Sequence, residues 1–245
     1  TGRTPPHRRI EPRVTTPLAT ELLARAQDAF RPAADPERAA PMAAYMKHHF
    51  AYLGIPAGPR RALLRAAWAG TPRPQETDVL DLLDACWQLP EREFQYAGLD
   101  YLGRWVRVCS SDALPRLQSL ILAKSWWDTV DSLAPHGAGA LVRRDPSLRG
   151  EMDRWLESGE LWLIRAAIIH QLAWRADMDI DWIEAACLRH AAHRDFFVRK
   201  AIGWALRSYA NQNPQHAARV RAFLAAHDGA FSGLSAREAL MRVRW

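Results

Sequence analysis

Three ten-residue stretches of this chain follow one pattern. They are EFQYAGLDYL (93–102), LIRAAIIHQL (163–172) and FVRKAIGWAL (197–206), with alanine fifth (Ala97, Ala167, Ala201) and leucine tenth (Leu102, Leu172, Leu206). The alanines stand 70 and 34 residues apart, so the repeating unit is near 35 residues. Val130 falls close to midway between the first two copies and supplies the missing register. A unit of this size holds two helices, cannot bury its apolar face alone, and must stack on its neighbours. The period therefore predicts an all-α chain, an α-solenoid of HEAT-like repeats. HEAT repeats run slightly longer and tetratricopeptide repeats carry a different signature. Such a stack buries one helix layer and leaves a concave layer exposed, where unusual residues are tolerated without harm to the core.

The rest of the sequence agrees with helices. PLATELLARAQDAF places Leu18, Leu22 and Ala26 at i, i+4 and i+8. DPERAAPMAAYMKHHFAYLGI opens on Asp-Pro, a helix-start signal, and is expected to run to Gly54. ETDVLDLLDACWQL stops before Pro90, and EREFQYAGLDYLGRW reads as the next helix. No alternating β-branched run competes. Residues 1–16, rich in Pro and Arg, read as a basic arm with weak phosphate affinity, and 17–245 as one repeat domain.

Charge narrows the partners. There are 33 Lys and Arg against 27 Asp and Glu, a net charge of +6, which favours an anionic partner such as nucleic acid without requiring one. Cys86, Cys109 and Cys187 are far apart and odd in number, which argues against a disulfide scaffold or a zinc site and suits a reducing cytoplasm; all three read as buried small hydrophobes. No apolar run is long enough to span a membrane. No metal, cofactor or membrane is expected, and a monomer is.

The stretch KSWWDTVDSLAPHG (124–137) sets two tryptophans beside two acids. On a helix, Lys124, Trp127 and Asp131 fall at i, i+3 and i+7 on one face, while Trp126 packs inward with Val130 and Leu133. Asp131 equally fits a helix cap or a pair with Lys124. In HRDFFVRKAIGWALRSYANQNP, Phe196, Lys200, Trp204 and Arg207 form a stripe that mixes aromatics with cations; Phe197, Ala201, Ile202, Ala205 and Leu206 form the apolar stripe. Cations neutralise phosphates and aromatic faces take sugars or bases, so the first stripe suits a nucleic-acid backbone beside a distorted nucleotide. An amphipathic helix with snorkelling cations has the same pattern. Arg165, a lone guanidinium among apolar neighbours, must reach water, a carboxylate or an anionic ligand. His170 reads as a satisfied core or rim histidine. Tyr45 and His48 or His49 share a face if their helix continues, with Lys47 adding charge.

At YMKHHFAYLGI (45–55), KSWWDTVDSLA (124–134), LWLIRAAIIHQL (161–172), FFVRKAIGWALRSYANQNP (196–214) and GLSAREAL (233–240), the chain resembles the DNA alkylation repair enzymes of the AlkD type, HEAT-like DNA glycosylases. The likeness covers roughly 17–245; SWWDTVD and RKAIGWALR are its specific parts. The resemblance implies a solenoid with a concave, basic DNA-binding face and the removal of cationic N3- and N7-alkylated purines from duplex DNA. It puts the catalytic tryptophan and aspartate on Trp127 and Asp131, the second cleft tryptophan on Trp204, the active-site arginine on Arg165 and the DNA-facing tyrosine on Tyr45. Lys47, Lys124, Phe196, Lys200 and Arg207 join them as expected DNA contacts. The protein would be cytoplasmic, and nucleoid-associated when bound to DNA. The arm 1–16 has no counterpart, and GIPAGPRR (54–61) departs from the family's form, which bears on DNA affinity and lesion range.

Physical chemistry supports one carboxylate between aromatics. A purine alkylated at N3 or N7 is already cationic and departs neutral, so no general acid is needed. Positive charge then moves to the sugar, where Asp131 would stabilise it and orient water, while the faces of Trp127 and Trp204 hold the cation. The family acts without flipping the base, unlike most base-modifying enzymes. The rival expectation is a binding module: a protein scaffold, which predicts no acid between aromatics on the concave face, or a non-catalytic AlkD-like DNA-binding protein, which would keep the cations and could keep the aromatics.

Overall fold

The computed structural model describes residues 15–243. The expected arm falls largely outside this range; Thr16, its last residue, caps the first helix. Among the described residues there is no β-strand, only an isolated bridge between Ala51 and Glu91. The all-α expectation holds. The chain forms two compact units that meet in sequence at Ser125 and Trp126.

The first unit contains α1 (Pro17–Phe30), α2 (Pro36–Tyr45), α3 (Ala57–Ala67), α4 (Glu76–Gln88), α5 (Arg92–Trp105) and α6 (Leu114–Leu122). Local chemistry sets several starts. The Thr16 side chain accepts from the Ala19 N–H and the Asp35 side chain from the Arg38 N–H, each followed by a proline whose fixed φ suits the first helical position. Phe30 and Phe94 pack with their ring centroids 5.5 Å apart in a core with Ile55, Leu64 and Ala97.

The second helix is shorter than expected. It stops at Tyr45, nine residues before Gly54, because Lys47 and His48 both take left-handed φ of 56°. The chain is then held open by a contact from far along the sequence: the buried Glu93 carboxylate accepts from the N–H groups of Leu53, Gly54 and Ile55. Gly54, at φ +87°, lies so close to the Asp35 carbonyl that a Cβ there would stand 2.1 Å from it. Tyr45 therefore shares no helical face with His48 or His49.

The second unit contains α7 (Trp127–Ser132), α8 (Gly139–Arg144), α9 (Arg149–Glu157), α10 (Leu161–Ile169), α11 (Ile180–Arg189), α12 (Phe196–Ala210), α13 (Pro214–Ala226) and α14 (Gly233–Leu240). A π-helical segment, Leu133–Ala138, follows α7. Ala167 and Ala201, aligned in the repeat, are both fully buried, as are Val130 and Leu206. Side-chain bonds between neighbouring layers recur near the repeat length. Arg165 reaches Asp131 across 34 residues, Trp174 reaches the Gly139 carbonyl across 35 and, in the first unit, Arg116 reaches Asp84 across 32. Stacked helical repeats place equivalent residues one layer apart, and these bonds are the physical trace of that stacking.

The three cysteines are free and buried, as expected. Burial pushes the Cys86 thiol up to about 12 and raises that of Cys187 as well. No helix of the described residues is long and apolar enough to cross a membrane.

Candidate active site

The segment 124–131 is not one helix. Lys124 has φ +49° and Trp126 is extended (φ −159°, ψ 163°), so α7 begins only at Trp127. The turn from α6 is fixed by its polar contacts. Ser125 Oγ donates to the Ile121 carbonyl at 2.7 Å, and Arg92 Nη1 donates to the Lys124 carbonyl at 3.0 Å. The expected face of Lys124, Trp127 and Asp131 thus loses its lysine. The Lys124 ammonium instead donates to the Leu89 carbonyl, and burial, with Arg92 nearby, lowers its pKa.

Trp127 and Asp131 remain one turn apart on α7 and share a face. Asp131 pairs neither with Lys124 nor as a cap. Arg165 of α10 grips it with two parallel bonds, Nε to Oδ1 and Nη2 to Oδ2, both 2.8 Å. Arg165 Nη1 also donates to the Phe197 carbonyl at 2.6 Å, on the first turn of α12. Arg165 is 5 % exposed, and of the water, carboxylate or anionic ligand open to it, it meets a carboxylate, that of Asp131. A planar fork matched to a carboxylate plane fixes the acid's orientation as well as its charge. Burial nevertheless dominates and holds the Asp131 carboxyl above the usual aspartate range; Arg165 opposes this, and Asp128 one turn earlier adds to it. Each carboxylate oxygen keeps a lone-pair direction that Arg165 leaves unused.

Aromatic rings line the same layers. The Trp126 ring lies 5.8 Å from Trp162 and 5.1 Å from Phe197, and Trp162 lies 5.0 Å from Phe197. Trp126 thus packs on other rings from an extended residue before α7, not from the helical register expected of it, and is half-buried like Trp127, while Phe196, 5.4 Å from Phe197, is 52 % exposed. The Asp195 side chain caps α12 by accepting from the Phe197 N–H at 2.7 Å. Along α12, Phe196, Lys200, Trp204 and Arg207 form the expected stripe, with Ala201, Ile202, Ala205 and Leu206 buried behind it. Trp204 is half-buried.

The cations of that stripe have a partner that sequence reasoning missed. Glu238 of α14 takes Lys200 Nζ on Oε1 at 2.7 Å and Arg207 Nη1 on Oε2 at 2.8 Å. These pairs, the Lys200 bond foremost, hold its carboxyl below the usual glutamate range. Glu238 lies in GLSAREAL and follows Lys200 and Arg207 by about one repeat. Applying the 35-residue offset to acids as well as alanines would have found it. Trp162 was likewise overlooked.

In the first unit, Tyr45 ends α2 at 71 % exposure and Lys47 is exposed beside it. His170 is buried, donates from Nδ1 to the Ala167 carbonyl (2.6 Å), and meets Trp174 and Trp182 edge-on; burial pulls its pKa down to about 4. It is the satisfied core histidine the sequence suggested. No group of His, Cys, Asp or Glu among the described residues could hold a metal ion.

The family model for DNA alkylation repair enzymes matches residues 26–243. No curated protein matches the chain. Among solved structures, the chain is similar to a predicted DNA alkylation repair enzyme from Enterococcus faecalis, with 29 % identity and a TM-score of 0.76, over 86 % of this chain and 97 % of that one. A match spanning nearly all described residues of both units, joined to a close structural likeness, places the protein: this chain belongs to the DNA alkylation repair enzyme family.

Proposed function

We propose that the protein is a DNA glycosylase that hydrolyses the N-glycosidic bond of cationic N3- and N7-alkylated purines in duplex DNA. The observation that carries this reading is the Asp131 carboxylate, held by a two-point clamp from Arg165 and one helical turn from Trp127. A purely structural ion pair needs no aromatic beside it. A fixed anion near an electron-rich ring is what a departing cationic base and an oxocarbenium-like sugar require.

In this reading Asp131 stabilises the positive charge that moves from base to sugar and orients the attacking water. Arg165 keeps the acid ionised against its burial and aims it. Trp127 and Trp204 hold the cationic nucleoside. The lesion leaves as a neutral base, so one carboxylate suffices. Phe196 offers an exposed ring at the head of the α12 stripe, and Lys200 and Arg207 contribute to phosphate attraction less strongly than free cations would. Tyr45 and Lys47 of the first unit are further DNA contacts, and Lys124 contributes through its position in the turn before α7. The family match runs through both units, which supports reading 17–245 as one functional domain. The protein would act as a monomer on DNA in the cytoplasm or nucleoid.

The test is incubation with a duplex carrying a single N7-methylguanine, with the released base measured by chromatography. Release of free N7-methylguanine and an abasic strand is expected. Tight duplex binding with no base released would leave the protein a DNA binder and end the glycosylase reading.

A further inference from the structure

The α12 stripe contains a bracket. Lys200 stands one turn before Trp204 and Arg207 one turn after it, and the Glu238 carboxylate spans both cations with one oxygen each. Arg207 Nη1 also donates to the Glu238 main-chain carbonyl at 3.1 Å, so the arginine is held from two directions. The packing that makes this reach possible is specific. A Cβ at Gly203 would stand 2.3 Å from Glu238 Cβ and 2.9 Å from the Ser235 carbonyl, so α14 lies against bare backbone of α12 immediately next to Trp204. Ser235 Oγ donates to the Arg199 carbonyl at 3.1 Å and pins α14 in register. Glu238 is itself largely buried.

We propose that Glu238 is a positioning residue for the Trp204 stripe: it fixes the Lys200 and Arg207 head groups on either side of the indole and offsets one of their two charges. Long side chains with cationic tips otherwise sample many rotamers, and ordering them at the moment of DNA binding has a cost in entropy. A buried carboxylate that bridges them supplies that order in advance. It also reduces the stripe's attraction for phosphate by one charge, which weakens binding to undamaged duplex relative to a stripe of free cations. The consequence for DNA rests on the glycosylase reading; the bracket itself does not.

The test is Glu238→Gln in the full chain, read three ways. First, Lys200 is labelled with a water-soluble acetylating reagent and its rate followed by peptide mass spectrometry. Labelling is expected to accelerate at least several-fold, since the amine loses its ion-pair partner. Second, binding to undamaged duplex is titrated over a range of salt. The slope of log K against log salt should steepen by about one unit, as one more cation meets phosphate. Third, base release is measured in single turnover at saturating protein, where it should fall several-fold although binding is tighter.

Unchanged Lys200 labelling overturns the proposal. So does faster labelling with an unchanged salt slope and saturating rate in a protein whose wild type releases base, because the pairs are then only structural. If the wild type neither binds duplex nor releases base while Glu238→Gln still exposes Lys200, the glycosylase reading fails and the bracket stands. Should Glu238→Gln not melt cooperatively, Glu238→Asp decides: it keeps the charge but is too short to span both cations. Labelling in Glu238→Asp equal to wild type overturns the bracket, and faster labelling supports it.

Discussion

Two ladders of ion pairs run through the second unit with nearly the same spacing and opposite character. One joins α7 to α10 through Asp131–Arg165 and α12 to α14 through Lys200–Glu238–Arg207, with the Arg165 bond to the Phe197 carbonyl between them. The other joins α9, α11 and α13 through Glu157–Arg189 at 2.7 Å and through Arg219, which pairs with Glu184 at 2.8 Å and also with Asp181. The contrast is sharpest between Arg165 and Asp131, whose side chains are 6 % and 16 % exposed, and Arg189 and Glu157, at 50 % and 65 %; Lys200 at 35 % and Glu184 at 16 % lie between. One repeat offset therefore produces charge pairs on both layers. Burial decides which pairs fix chemistry and which only decorate a solvated face.

The largest expected effect falls on the buried ladder. Asp131→Asn keeps shape and removes charge, and base release should fall by about two to three orders of magnitude, the scale for losing one preorganised electrostatic group. Duplex affinity should hold or rise, since an anion is removed. An Asn variant with wild-type release, in the chromatographic assay, would move the chemistry away from this ladder.

Next comes a direct contest between the ladders. Arg165→Met strands the Asp131 carboxylate in a buried setting and should lower stability by about 3–5 kcal/mol in denaturant titration. Arg189→Met breaks an exposed pair with the same separation class and should cost about 0–1 kcal/mol. Equal losses would mean that burial does not separate the two ladders.

The two tryptophans give a smaller contrast. Trp126→Ala removes a ring packed on both Trp162 and Phe197 and should cost about 2–4 kcal/mol. Trp127→Ala should lower melting less and suppress excision more, with cationic lesions affected more than uncharged ones because cation–π attraction needs the charge. A variant Trp127→Ala that unfolds while Trp126→Ala only loses activity would shift the site onto Trp126 and Asp128.

The subtlest expectation concerns pH. Base release needs ionised Asp131, whose pKa burial raises, so the acid limb of the rate should lie above the ordinary aspartate range. It should move higher still in Arg165→Met. Stability runs the other way. A raised pKa means the folded state binds the proton more readily, so Asp131's contribution is full below the ordinary value and declines as pH rises through the shifted one. Glu238 has the opposite sign: its depressed pKa gives a contribution present above the ordinary glutamate value and lost as pH falls through the shifted one. Melting curves of Asp131→Asn and Glu238→Gln against wild type, taken across acidic pH, should diverge from it in opposite directions. Parallel curves would mean that Asp131 and Glu238 do not titrate with opposite shifts.

How far these features could be read from the sequence depended on the range of the physics involved. The start of α1 at Pro17, the start of α2 at Pro36 and the two stripes of α12 followed from prolines and side-chain periodicity, which act within a few residues; the Asp195 cap of α12 was not read. The end of α2 did not, because Glu93 sets the loop from 40 residues away. Lys124 was misplaced for the same reason: its turn is held by Arg92 and Leu89, neither of them local. The aspartate and tryptophans of the candidate site were legible as a cluster of ill-matched side chains. Their pairings were legible only in part: a carboxylate was one of three partners open to Arg165, with none singled out, and Glu238 was considered for no partner. Both lie one repeat from the groups they hold, a spacing used for alanines and leucines and not extended to charges.

The buried cysteines acquire a meaning from the company this family keeps. Agents that alkylate purines are electrophiles, and the softest nucleophile a protein offers them is a thiolate. In this chain Cys86, Cys109 and Cys187 are all out of solvent, and burial holds the Cys86 and Cys187 protons on sulfur well above neutral pH. A thiol that is neither exposed nor ionised reacts slowly with a methylating agent. The same packing that completes the core thus shields the protein from the reagents whose damage its family repairs.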